Sequence, residues 1–209
     1  MTITAEPAAR MGKRARAKEA NRTAILNAAR AVFARIGYEA ANIRDIIRET
    51  NLASGTFYNY FKSKEEVFEA IANDSVQRIR PLLRQAHEAA SDLESYLLAA
   101  YGAYFNFLAE ENNQAIEDGM PHMSLIGVRV DTPEMQTLSG EVRADLELVL
   151  EKVGLVHLDT EYLTAAAIGI ARELGDHMLK RRPVDAAGAA EFATKLMLAG
   201  VETLAKSEH

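Results

Sequence analysis

Apolar residues in this chain recur at the spacing of a helix face, and no stretch of useful length alternates as a strand would. From Asn21 onward Ile25, Ala29, Val32, Phe33 and Ile36 fall at i, i+4, i+7, i+8 and i+11, and the run stops at Gly37, a suitable C-terminal cap. Asn42 is a good N-cap for a short second helix with Ile43, Ile46 and Ile47 inward, ending near Thr50 and Asn51, where asparagine accepts a left-handed turn. Leu52 points back to the core, and a third helix starts near Ala53 or Ser54. Ser63 with Glu66 forms a capping box that opens a fourth helix, Lys64 to about Arg80, perturbed at Pro81. Ser91 and Glu94 repeat that box before "YLLAAYGAYFNFLA", Tyr96 to Ala109, whose lack of any formal charge predicts a helix buried on most sides. Residues 111–131 read as irregular, with a short helix and a loop. Thr132 and Pro133 open a helix to about Val153, Asp159 or Thr160 another to about Lys180, and Asp185 the last. With no strand pattern and no internal repeat, the fold class is all-α.

The net charge of −6 hides a segregation. Residues 1–64 carry twelve Lys and Arg against five Asp and Glu, a balance of +7; residues 65–209 carry twelve against twenty-five, a balance of −13. A basic head on an acidic body suits a protein whose head meets a polyanion. Chance asymmetry is the bland alternative. Residues 1–19, with Arg10, Lys13, Arg14, Arg16 and Lys18, lack apolar periodicity and read as a mobile basic arm. There is no long uncharged apolar run and no charged-then-apolar leader, so neither a membrane span nor a secretory signal is legible and a cytoplasmic location is expected. The absence of cysteine excludes disulfides, thiolate nucleophiles and Cys-ligated zinc.

The stretch "ASGTFYNYFKSKEEVFEA", Ala53 to Ala70, holds five of the fourteen Phe and Tyr residues, four of them in the five positions from Phe57 to Phe61. At about 100° per residue Phe57 and Phe61 lie roughly 40° apart and belong to the core. The opposite side presents Gly55, Thr56 and Asn59, with Tyr58 and Tyr60 on the two flanks. That outward face is small and polar. Gly55 and Thr56 permit close backbone approach, Asn59 can donate and accept as a base edge requires, and tyrosine hydroxyls at the rims reach backbone oxygens. Half-buried flank tyrosines of a small helical domain are the duller alternative.

"ARAVFARIGYEAANIRDIIRETNLASGTFYNYFKSKEEVFEA", Ala29 to Ala70, resembles the tetracycline-repressor (TetR/AcrR) family of transcriptional regulators in its amphipathic first helix, "IRDI" second helix, "GTFYNYF" recognition helix and "KSKEEVF" linking-helix start. The likeness covers about the first third of the chain; beyond it, only length and the helical pattern are similar. Departures stand at Ile47 and Thr50, where the family has small residues, at Asn51, where it has glycine, and at Ala53, where it has a capping serine worth on the order of 1 kcal/mol.

The resemblance implies a basic arm over 1–19, a three-helix helix-turn-helix DNA-binding domain over 20–63, and a helical ligand-binding and dimerisation domain over 64–209. It implies a homodimer, a repressor, placing two recognition helices in successive major grooves of a near-palindromic double-stranded operator. Asn42, Ile43, Arg44, Ser54, Gly55, Thr56, Tyr58, Asn59, Tyr60 and Lys64 would line the DNA. Arg44 and Lys64 are assigned to phosphate, Thr56 and Asn59 to bases, and Tyr58 and Tyr60 chiefly to the backbone. A largely apolar small-molecule effector entering the body would re-angle the fourth helix and release the operator. Its candidate contacts are Tyr101, Tyr104, Phe105 and Asn106, with His122, Met123, Arg172 and His177; plain core or surface roles are the competing reading for each. The Ala- and Gly-rich "TAAAIGIARELG" and "DAAGAAEFATKLMLAG" would form a four-helix dimer interface. No cofactor and no metal are called for. An enzyme is the rival class, but no "GxSxG", "HExxH", "GxGxxG" or Walker-type loop occurs, and Glu173, Asp176 and His177 make at most half a metal site. A second rival is a DNA-binding protein of the same type governed by a protein partner.

Overall fold

The structure, a computed structural model, describes residues 12–117 and 132–207, and among these the chain is helical with no strand. Eight helices follow in order: α1 (Lys13–Ile36), α2 (Ile43–Glu49), α3 (Ser54–Tyr58), α4 (Lys64–Ala89), α5 (Leu93–Glu117), α6 (Pro133–Lys152), α7 (Thr160–Lys180) and α8 (Ala186–Ser207). They group into two compact units, one ending at Ile71 and the other beginning at Ala72, so that α4 runs from the first into the second.

Local chemistry fixes most helix starts. Asn42 caps α2 in a full capping box: its Oδ1 accepts from the Asp45 amide at 3.2 Å, and Asp45 Oδ2 accepts from the Asn42 amide at 3.1 Å. Thr132 caps α6 by accepting from the Met135 amide at 3.2 Å, with Pro133 next to it at the position where a missing N–H costs nothing. Asp159 caps α7 through the Tyr162 amide at 3.0 Å, and Asp185 Oδ1 accepts from the Gly188 amide at 2.8 Å at the start of α8.

Several boundaries depart from the sequence reading. α1 starts at Lys13, so residues 13–19 are its first turns and not an arm; Ala, Arg, Lys and Glu carry an exposed helix on propensity alone. Asn51 is not left-handed, since no described residue other than glycine has positive φ. The end of α2 is closed instead by Thr50, whose hydroxyl donates to the Ile47 carbonyl at 2.8 Å and accepts from the Leu52 amide at 3.2 Å. α4 continues through Pro81 to Ala89; Pro81 is exposed, and so is Gln77, four residues back, whose carbonyl loses its helical donor. The box before α5 lies one residue later than Ser91 and Glu94: Asp92 Oδ1 accepts from the Ser95 amide at 2.8 Å and Ser95 Oγ from the Asp92 amide at 3.0 Å. α5 also runs on to Glu117, making residues 111–117 helical; the remainder of the segment expected to be irregular lies outside the described residues.

In the first unit Ile25, Ala29, Val32 and Phe33 of α1 are buried, as are Ile46 of α2, Phe57 of α3 and Val67, Phe68 and Ile71 of α4. Phe33, Tyr38 and Phe68 form an aromatic cluster with centroids 4.9 to 6.1 Å apart. In the second unit α5 is central, as its uncharged stretch from Tyr96 to Ala109 requires. Its Tyr96, Leu97, Tyr101 and Phe105 pack with Leu146, Val149 and Leu150 of α6, Leu163, Met178 and Leu179 of α7, and Ala193, Met197 and Val201 of α8. Gly175 lets α7 come close to α5: a Cβ there would meet Leu108 Cδ1 at 2.6 Å. Polar pairs tie α4 to α6 within this unit, with Arg80 on Glu141, His87 Nδ1 3.5 Å from Asp145 Oδ1, and the Thr132 hydroxyl donating to Asn73 Oδ1 at 2.7 Å.

Candidate nucleic-acid interface

The recognition element is short. α3 spans five residues, and Asn59 stands at its C-cap in right-handed helical conformation. Phe57 is fully buried and Phe61 nearly so, their rings 6.3 Å apart, as the 40° separation predicts. Burying one such ring contributes about 1.5–3 kcal/mol, enough to lock which side of so short a helix faces out. That outward side holds Ser54, Gly55, Tyr58 and Asn59, all exposed, with Thr56 half-buried. Tyr58 is 54% exposed although large and aromatic, its ring edge-on to Phe57 at 5.5 Å. Ala53 is the N-cap and supplies no side-chain hydrogen bond, and Ser54 does not replace it. The first amides of α3 are therefore left open at the end that a phosphate would approach.

Asn42 and Arg44 are exposed at the start of α2 and Ile43 is half-buried beside them. The capping box uses Asn42 Oδ1, so its amide nitrogen is the group it can offer outward. Tyr60 is not the mirror of Tyr58, because α3 has ended before it. It is half-buried and its hydroxyl accepts from Asn21 Nδ2 of α1 at 3.3 Å, while the Arg22 guanidinium lies 5.9 Å from the centre of the Phe61 ring. Asn21 and Arg22 are thus neighbours of the recognition element that the sequence reading missed; the contact spans 39 positions and leaves no local signal.

Lys64, expected on a phosphate, has another task. Its Nζ donates to the carbonyls of Tyr38 at 2.9 Å, Glu39 at 3.3 Å and Ala41 at 3.1 Å, and lies 4.5 Å from the centre of the Tyr38 ring. An ammonium has three N–H groups, and three carbonyls take them. Lys64 therefore clasps the loop that delivers Asn42. The Tyr38 hydroxyl meets Glu65 at 3.4 Å, and burial together with that carboxylate pushes the phenol up to about 12, so it stays a neutral donor.

The expected effector residues separate into three groups. Tyr101 and Phe105 are buried and stacked, centroids 6.0 Å apart, with the Tyr101 hydroxyl donating to the Ala167 carbonyl at 3.4 Å. Tyr104 adjoins Phe105, and burial raises its phenol to about 12 against the opposing charge of Arg172, which is half-buried on α7. Asn106 and His177 are exposed and do not join them. His122 and Met123 lie outside the described residues. Asn112, not among the expected residues, is 2% exposed, on the α5 face that Phe105 and Leu108 also occupy, and its Nδ2 has no partner among the described residues. Among those residues no three His, Cys, Asp or Glu gather as metal ligands, and no helix is long and apolar enough to cross a membrane.

Comparison with known proteins bears on the helix-turn-helix domain and on the fold. Residues 25–71 match the family described as bacterial regulatory proteins, tetR family. A Bacillus subtilis protein named an uncharacterized HTH-type transcriptional regulator, YdgC, is 25% identical over 194 residues, 87% of this chain and 92% of the relative. The fold is similar to the fatty acid degradation regulator FadR from Bacillus halodurans, with TM-score 0.64 and 22% identity over 92% of this chain and 98% of that one. It is likewise similar to FadR from Bacillus subtilis, solved in complex with stearoyl-CoA, with TM-score 0.64 and 19% identity over 85% of this chain and 98% of that one. Residues 25–71 are thus the helix-turn-helix domain of the tetR family of bacterial regulatory proteins, and the chain that carries it is a DNA-binding transcriptional regulator.

Proposed function

We propose that the chain is a homodimeric repressor that binds a near-palindromic operator and leaves it when a small, largely apolar effector enters the second unit. One observation carries the DNA half: α3 and the turn after it bury Phe57 and Phe61 and show Ser54, Gly55, Tyr58 and Asn59 on the basic end of the chain. In this reading residues 20–63 read DNA and residues 64–209 bind effector and pair the subunits. Thr56 and Asn59 read base edges, Arg44 and the open amides at Ser54 and Gly55 take phosphate, and Tyr58 packs on the sugar-phosphate rim. Tyr60 keeps its hydroxyl proton for a backbone oxygen while Asn21 holds the ring in place.

Pairing is supported by the exposed faces of α7 and α8. Tyr162, Phe192, Leu196 and Leu204 are each at least half exposed, among small residues such as Ala165, Ala166, Gly169 and Gly200 that let another helix approach. An apolar effector is supported by the uncharged stretch from Tyr96 to Ala109 of α5, with Tyr104, Arg172 and Asn112 as the polar groups that would fix its orientation. Because a similarly folded protein was solved with stearoyl-CoA, a long-chain acyl-CoA is the first probe to try. Ligand and operator then oppose each other by one coupling free energy. Selection of duplexes from a random-sequence library tests the reading: inverted repeats with half-sites about one helical turn apart are expected, and recovery of no preferred sequence contradicts it.

A further inference from the structure

The basic end of α1 is helix, which gives its charges a direction. Arg14, Arg16 and Lys18 are exposed on the first turns after Lys13. At 100° per residue Arg14, Lys18, Asn21 and Arg22 fall within a sector of about 100°, whereas Arg16 points to the far side, roughly 170° from its middle. Glu19 also lies outside that sector. The same sector meets the exit of the recognition helix, where Asn21 donates to the Tyr60 hydroxyl at 3.3 Å and Arg22 lies against the Phe61 ring.

We infer that Arg14 and Lys18 form a phosphate-binding stripe that grips the DNA backbone outside the major-groove footprint, held in register with α3 by the Asn21 to Tyr60 contact. This rests on the DNA-binding reading above and adds to it a rigid element with a defined face. Charge complementarity selects the occupant: two cations one helical turn apart, with no carboxylate in their sector, suit a polyanionic backbone and carry no base specificity. Arg16, equal in charge and only two residues from either, does not belong to the stripe.

The experiment uses the full chain and a duplex recovered by the selection described above, with the dissociation constant followed against salt. Arg14→Ala and Lys18→Ala each remove one contact per subunit, so each should make the log–log salt slope shallower by about 1.8 for two subunits. Arg16→Ala should leave the slope unchanged, although it removes the same charge. Hydroxyl-radical footprinting should show protection at the outermost backbone positions for the unmodified chain and for Arg16→Ala, and lose it for the other two. Equal slopes for all three variants, or unaltered outer protection in Arg14→Ala and Lys18→Ala, would overturn the inference while leaving operator binding intact. Failure of the unmodified chain to bind any selected duplex would remove the DNA reading itself and the stripe with it.

Discussion

The Lys64 ammonium sits 2.9 Å from the Tyr38 carbonyl and beside its ring, closing the loop between α1 and α2 from the first turn of α4. The clasp makes Lys64 a positioning residue for Asn42 and α2. Lys64→Ala leaves the Tyr38 and Ala41 carbonyls, both part-buried, without their donor, and should destabilise the chain by about 1–3 kcal/mol in chemical denaturation. An unchanged denaturation midpoint together with weakened operator binding would return Lys64 to the phosphate role.

The uncapped start of α3 predicts a gain. Ala53 already has the extended backbone of an N-cap, at φ −66° and ψ 147°, so Ala53→Ser can supply the missing acceptor without moving the chain. Stability should rise by on the order of 1 kcal/mol. A fall would show that the amides of α3 are not open as described.

Asp145 predicts a pH dependence. Its carboxyl is held above the ordinary carboxylate range chiefly by burial, with His87 opposing the shift. The folded state therefore binds this proton more tightly than the unfolded one, and the stability linked to the group is highest below its ordinary pKa and falls as pH rises through the raised value. Asp145→Asn removes that loss, so the variant should be the more stable near neutral pH, with the difference shrinking as pH approaches about 4. Thermal melting across that window checks the sign.

The outward apolar side of α7 and α8 predicts the assembly. Phe192→Glu places a charge where a partner helix would pack, next to Leu196 and one helix away from Tyr162. Light scattering should show the unmodified chain at twice its 23.0 kDa mass and the variant at the monomer mass. A monomeric parent, or a variant that stays dimeric, would move the interface elsewhere.

Much of this architecture was legible because its signals are local. Asn42, Thr132 and Asp159 announce their helices through bonds to an amide three residues on, and the uncharged stretch from Tyr96 to Ala109 announces the burial of α5. What depends on distant partners left no such trace. Lys64 and Asn21 reach across 23 to 39 positions, and neither composition nor spacing separates an ammonium on a phosphate from one on a carbonyl. The early start of α1 was hidden for a different reason: exposed turns built on propensity carry no apolar period. The effector set was the least legible, since a buried helix face shows the same Tyr and Phe whether it lines a cavity or fills a core; Asn106 and His177 turned outward and Asn112 turned in.

The central claim is that the exposed side of α3, on a basic head, reads DNA. The most direct measurement is the affinity of the intact chain and of Asn59→Ala for a selected duplex and a scrambled one, at salt from 50 to 200 mM. For the intact chain on the selected duplex, affinity should fall by about 10³-fold or more across that range, as expected for six or more phosphate contacts. Asn59→Ala should lose about 1–3 kcal/mol of preference for the selected sequence while keeping the salt slope. A flat salt response, or an Asn59→Ala variant that discriminates the two duplexes as well as the parent, would contradict it.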